Sequence, residues 1–115
     1  MVEVRVNVFN IVGSAFCVDA DDGQLVYNVI KKNLLEVNKI ILSFQNVEMI
    51  TSAFLNTAIG QLYGEFEENQ IKSNLSVENI SPEDITLLKR VVETAKLYYK
   101  NPERMQKSID DILGE

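Results

Sequence analysis

The sequence predicts a single α/β domain in which strands alternate with helices, and two kinds of apolar pattern indicate this fold. Apolar residues at every second position predict a half-buried strand at the start of the chain: Val2, Val4, Val6 and Val8. Apolar residues three or four positions apart predict amphipathic helices further along. The 115 residues suit one domain, because a domain usually takes roughly 100–200 residues.

Four strands are predicted. We expect the first strand to run from Val2 through Ile11, and a short second strand over 15–18 to pair antiparallel with it. The continuous apolar run over 39–44 is typical of a central parallel strand that is covered on both faces. Alternation over 75–80 predicts the fourth strand.

Three amphipathic helices are predicted between and after these strands, over about 24–38, 52–66 and 82–99. The third has a strong start, because Ser81 supplies a cap and Pro82 suits the first helical position.

A weaker fourth helix is predicted near the end of the chain, after Pro102, where Met105, Ile109 and Ile112 recur at helical spacing. The predicted order is β-β-α-β-α-β-α plus this C-terminal helix. We expect a roughly four-stranded mixed sheet with helices mainly on one face. Residues 1–100 form the predicted domain, and residues 101–115 form a C-terminal helical extension.

The composition argues against most catalytic chemistry. Without histidine, the chain lacks the commonest general base and metal ligand. Cys17 is the only cysteine, and its apolar neighbours indicate a buried, inert thiol. The acidic run 19–23 is interpreted as a solvated turn, because Val29 stands where a calcium loop needs glutamate. We therefore expect no enzyme activity, no catalytic residues, no metal and no cofactor.

Charge and hydropathy also limit the partners. The net charge is −6, whereas nucleic acids and anionic membranes attract basic patches. No apolar run approaches the ~20 residues of a membrane span, and the first residues are unlike a signal peptide. We expect a cytoplasmic protein that binds neither nucleic acid nor membrane.

One face of the predicted helix over 52–66 is unusual. Ser52, Asn56, Gly60 and Gly64 lie four residues apart, and no charged residue occurs between Glu48 and Glu65. Each glycine lowers helix stability by up to ~1 kcal/mol relative to alanine. A small, uncharged face of this kind indicates close approach by another surface. That surface is either a partner or another part of the same chain.

Ser52 has two interpretations. Its hydroxyl could cap the predicted helix, as could that of Thr51, or it could accept a phosphate that places about two negative charges on a neutral face. The residues alone favour the cap.

The segment from the strand over 40–44 through Val47 to Thr51-Ser52-Ala53-Phe54 resembles the STAS superfamily, and it is similar to bacterial STAS-like domains of unknown function. Their signature is an apolar strand that ends in Asp-Phe, followed by a valine and a Thr-Ser-x-Phe helix start. Ser43 replaces the aspartate of that strand. In the anti-sigma factor antagonists of this superfamily, aspartate precedes the serine, and Thr51 stands at that position here.

The resemblance implies a regulatory module of the anti-sigma factor antagonist kind, in which a partner kinase phosphorylates a serine that Ser52 matches. The implied partner is a protein with a histidine-kinase-type ATPase domain. The implied partner-binding residues are Asn46, Glu48, Thr51, Ser52, Asn56 and Gly60.

Three functions stay open. The leading one is this non-enzymatic signalling module, a monomer or homodimer whose C-terminal helix could serve dimerisation. The alternatives are a small-ligand or nucleotide-binding sensor domain and a structural subunit of a constitutive complex.

Overall fold

The computed structural model describes residues 2–100, and a parallel three-stranded sheet forms its centre. The central strand β3 (Lys39–Ser43) pairs with β1 (Glu3–Asn7) on one side and β5 (Leu75–Glu78) on the other. A separate parallel ladder joins β2 (Phe16–Cys17) to β4 (Met49–Ile50). The predicted α/β fold is confirmed, but the single four-stranded mixed sheet is wrong.

Helices fill the connections between these strands and follow the last of them. Within residues 2–100 they are α1 (Val8–Val12), α2 (Ala20–Leu35), α3 (Ser52–Ala58), a 3₁₀ helix (Gly60–Gly64), α4 (Glu68–Asn74) and α5 (Pro82–Lys100). The helix predicted after Pro102 lies outside the described residues.

Within residues 2–100, helices cover only one face of the three-stranded sheet. Two cross-strand rows of apolar side chains face the core, Val4-Ile40-Leu75 and Val6-Leu42-Val77. The opposite face carries exposed Arg5 and Ser76, with half-buried Ile41 between them, and Arg5 forms an ion pair with Glu78. Helices on one face were expected, whereas the expectation that β3 is covered on both faces is wrong.

The start of the chain differs from its predicted strand. The strand ends at Asn7, and Val8 to Val12 form α1, whose apolar residues Val8, Ile11 and Val12 also suit a helical face. Gly13 ends this helix in the left-handed conformation, at φ 76°, and its N–H donates to the Phe9 carbonyl oxygen. Because α1 turns the chain, β2 pairs in parallel with β4 and not antiparallel with β1.

The helical region after β4 is divided into more helices than the spacing of its apolar residues predicts. The predicted helix over 52–66 divides at Ile59 into α3 and the 3₁₀ helix. A further helix, α4, follows with Glu68 in its first turn. Ile71 is the only fully buried residue of α4, so this short helix has no apolar periodicity to reveal it.

The core forms where α2 packs against β3 and α3, and α5 packs against α3 and the 3₁₀ helix. Its largest fully buried side chains come from both helices, from β3 and from the 3₁₀ helix: Val26, Ile30, Leu34, Ile40, Leu42, Phe54, Leu55 and Leu62. Each large apolar side chain contributes about 1.5–3 kcal/mol by leaving water. This core fixes the position of α3, which carries the predicted partner-binding residues Ser52 and Asn56 and begins directly after Thr51.

Candidate protein-docking site

The loop between β3 and β4 begins with a tight turn. The Val47 N–H donates to the Phe44 carbonyl oxygen at 3.1 Å, and Asn46 at the third position has φ 68°. Asparagine tolerates this left-handed conformation better than most residues. The turn leaves Asn46 exposed.

Ser43 fixes the start of this loop. Its side chain is buried at the end of β3, where Oγ accepts hydrogen bonds from the Gln45 N–H at 3.3 Å and the Asn79 side-chain amide at 3.1 Å. Ser43 therefore connects the loop to the end of β5. Buried polar groups require such partners.

Thr51 caps α3, and Ser52 does not. The Thr51 hydroxyl oxygen accepts a hydrogen bond from the Phe54 N–H at 3.2 Å, and the hydroxyl donates to the Val18 carbonyl oxygen at 2.6 Å. Thr51 is only partly exposed, so its role is structural. Ser52 follows as the first residue of α3, with its side chain exposed and without a hydrogen-bond partner in residues 2–100. The interpretation of Ser52 as the cap is therefore wrong.

An exposed apolar pair lies beside this helix start. Phe16 and Met49 are directly opposite each other in the β2–β4 ladder, and they are 55% and 50% exposed. Their neighbours Cys17 and Ile50 point to the other face and are buried. This pair was not predicted from the sequence. The available signal was strand alternation, because a buried Cys17 requires Phe16 to point outward.

The structure brings most of the predicted partner-binding residues to one surface. Asn46, Glu48, Ser52 and Asn56 are exposed on the loop and the outer side of α3. Together with the apolar pair they form what we call the docking surface: Phe16, Asn46, Glu48, Met49, Ser52 and Asn56.

Gly60 does not belong to the docking surface. It is buried under α5, where a Cβ atom would lie 3.7 Å from the Ala95 Cβ and 3.8 Å from the Val91 Cγ1. Gly64 lies against the ring of Tyr99 in the same helix. The chain's own α5 therefore covers the glycine half of the small-residue face, and Gly60 is not accessible to a partner.

Acidic residues lie in and near the docking surface. Burial and the nearby Asp22 carboxylate raise the pKa of the Cys17 thiol to about 11, which places Asp22 close to β2. Glu48 is exposed in the loop itself. The raised pKa keeps the Cys17 thiol protonated at neutral pH. The polar groups that the docking surface exposes are the amides of Asn46 and Asn56, the Ser52 hydroxyl and the Glu48 carboxylate.

Two open depressions lie elsewhere on the molecule. One, of about 360 Å³, lies on α2 between Asn28 and Glu36, and the other, of about 490 Å³, lies between Tyr63 and Lys96. Neither is lined by a residue of the docking surface. Within residues 2–100, no helix has the length and hydropathy needed to cross a membrane.

Comparison with known proteins identifies the family. Residues 22–84, more than half of the chain, match the family described as STAS-like domain of unknown function (DUF4325). The match runs from the first turn of α2 to the first turn of α5, so it includes most of the docking surface. No curated protein and no solved structure matched the chain. The chain therefore belongs to the STAS-like domain family of unknown function.

Proposed function

We propose that this chain is a non-enzymatic regulatory module that binds a protein partner through its docking surface. The observation that carries the proposal is the exposed pair Phe16 and Met49, placed side by side in the β2–β4 ladder. Aromatic residues and methionine are enriched at protein interfaces. The pair has polar neighbours in Asn46, Glu48 and Ser52, which resembles the apolar centre and polar rim of an interface.

We further propose that phosphorylation of Ser52 releases the partner. The hydroxyl is exposed, and Thr51 already caps α3, so modification of Ser52 leaves the fold intact. A phosphate adds about −1.5 to −2 charges. Placed at an interface with an apolar centre, and near Glu48, this charge would have to lose its hydration when the partner binds.

The proposed partner is a protein with a histidine-kinase-type ATPase domain, by resemblance to the anti-sigma factor antagonists. The docking surface fits such a role because it combines a rigid cap, an apolar pair and an unused serine hydroxyl. We expect the complex to form in the cytoplasm.

A pull-down from native cells with quantitative mass spectrometry tests the proposal. The tagged wild-type chain and the Ser52→Ala variant should capture the same partner, whereas Phe16→Ser and Ser52→Asp should each lose at least about tenfold of it. Leu25→Gln serves as a matched control, since Leu25 is an exposed apolar residue of α2 outside the docking surface.

Circular dichroism and thermal unfolding would show that each variant folds. Equal capture of every partner by wild type and Phe16→Ser would show that the docking surface is wrong. Loss with Phe16→Ser but equal capture by Ser52→Asp would retain the surface and reject the phosphorylation switch.

A further inference from the structure

A second exposed apolar patch lies at the opposite end of β3 from the docking loop. Val2, Leu35 and Val37 are 60%, 65% and 52% exposed. The Lys39 N–H donates to the Val2 carbonyl oxygen at 2.8 Å, which holds the chain start beside the end of α2. We call these three residues the apolar patch.

Val37 occupies a backbone position that does not suit valine. The Val37 N–H donates to the Leu34 carbonyl oxygen and the Asn38 N–H to the Asn33 carbonyl oxygen, both at 3.0 Å. These bonds form a Schellman motif, in which the residue after the cap is left-handed and usually glycine. Val37 has φ 59°, a conformation that is unfavourable for β-branched residues.

Packing within the described chain does not explain this valine. The apolar contact that often accompanies the motif is replaced by a hydrogen bond, which the Asn38 amide donates to Asn33 Oδ1 at 3.1 Å. The Val37 side chain instead points outward beside Leu35 and is half exposed. A strained residue with an exposed apolar side chain indicates a contact beyond those that residues 2–100 supply.

The charges around the apolar patch are balanced. Glu3 and Lys39 are opposite each other in the β1–β3 register, and Lys32 in the last turn of α2 is four residues before Glu36, the C-cap of this helix. All four side chains belong to exposed residues. Because these four residues at the rim of the apolar patch are two acids and two bases, opposite charges can pair when the same rim of two copies meets. The whole chain carries −6 charges, so two copies would otherwise repel each other.

We propose that the apolar patch is the contact of a two-fold symmetric homodimer of this chain. In such a dimer the same patch of both copies meets, so apolar side chains face apolar side chains and each charge finds an opposite one. Three apolar residues are fewer than a stable interface needs, since that buries roughly 800 Å² per partner. The dimer is therefore weak, with a dissociation constant of about 0.1–1 mM.

This dimer would display two docking surfaces at once. The apolar patch precedes β3 and the docking loop follows it, so both surfaces stay free when the patches meet. Two linked docking surfaces would increase the avidity for a dimeric partner. The dimer rests on the patch alone and does not require the proposed function of the docking surface.

Sedimentation equilibrium of the full chain from about 10 µM to about 1 mM tests the proposal. The wild-type average mass should rise from one chain toward two, and Leu35→Gln should raise the dissociation constant about tenfold. Leu25→Gln is the control, because it makes the same change on the same helix outside the patch. A wild type that stays monomeric throughout, or a dimer that Leu35→Gln does not weaken, would overturn the proposal.

Val37→Gly provides a second test, because we expect it to stabilise the monomer and to weaken the dimer. At low concentration, where the chain is monomeric, glycine should raise the melting temperature by about 3–6 °C because the left-handed strain is removed. At high concentration the same variant should dimerise less than wild type. A lower monomer melting temperature would overturn the strain argument, and unchanged dimerisation would exclude Val37 from the contact.

Discussion

The Thr51 hydroxyl donates a 2.6 Å hydrogen bond to the carbonyl oxygen of Val18, 33 positions earlier in the chain. The same oxygen atom of Thr51 accepts from the Phe54 N–H. One side chain thus caps α3 and joins it to the segment between β2 and α2. This connection places Ser52 directly after the β2–β4 ladder that carries Phe16 and Met49, and the Ser52 hydroxyl has no hydrogen-bond partner within residues 2–100.

We expect Thr51→Val to lower the free energy of unfolding by about 1–3 kcal/mol, because the cap and the bond to Val18 are both lost. Ser52→Ala, one residue later, should change it by less than about 0.5 kcal/mol. Urea unfolding measures both values. A comparable loss for Ser52→Ala would mean that Ser52 contributes to the cap.

Gly23 and Gly60 should respond in opposite ways to alanine. A Cβ at Gly23 would lie 2.6 Å from the Phe54 carbonyl oxygen, where α2 meets α3, so Gly23→Ala should cost about 1–3 kcal/mol. A Cβ at Gly60 would make only ordinary contacts, so Gly60→Ala should be neutral or stabilise by up to about 1 kcal/mol. Thermal unfolding of the pair checks this difference, and equal effects would contradict it.

Ser43→Ala should destabilise the domain and loosen the docking loop. It removes the acceptor for the Gln45 N–H and the Asn79 amide, at an expected cost of about 1–2 kcal/mol. Hydrogen exchange at the Gln45 amide should become faster. Ser73→Ala, on the exposed side of α4, is the matched control and should leave stability and exchange unchanged. Unchanged exchange at Gln45 in Ser43→Ala would show that the loop does not depend on this bond.

Cys17 should make the stability depend on pH in the alkaline range. Burial, with Asp22 nearby, raises the thiol pKa from 9.0 to about 11 in the folded chain. Below pH 9 the thiol is protonated in both states, so it has no effect. Between pH 9 and 11 the unfolded chain loses the proton first, so stability should fall by up to about 1.4 kcal/mol per pH unit.

The measurement for Cys17 is the difference in pH slope between wild type and Cys17→Ala. The pKa of Tyr27 is also raised, chiefly by burial, but this tyrosine is present in both proteins and its contribution cancels. Identical slopes for the two proteins would contradict the expected thiol shift.

Much of the fold follows from local pattern. Alternation predicts β1 and β5, the apolar run over 39–44 predicts β3, and Ser81-Pro82 predicts the start of α5. β1, β5 and α5 are predictable because each buries one side of its own segment, so its apolar residues recur at a regular spacing. The burial of Cys17 and the uncharged start of α3 follow in the same way.

The pairing of strands and the composition of the docking surface were decided by tertiary structure. Local alternation could not show that β2 pairs with β4, because a ladder of two residues is specified by its distant partner. It could not show that α5 covers Gly60, or that the Thr51 hydroxyl donates a hydrogen bond to the Val18 carbonyl oxygen. Both contacts join segments that are far apart in sequence. The sequence by itself determined which elements form and which residues are small, polar or apolar. Only the packed chain determined which of these residues remain exposed to a partner, since exposure depends on every segment that packs nearby.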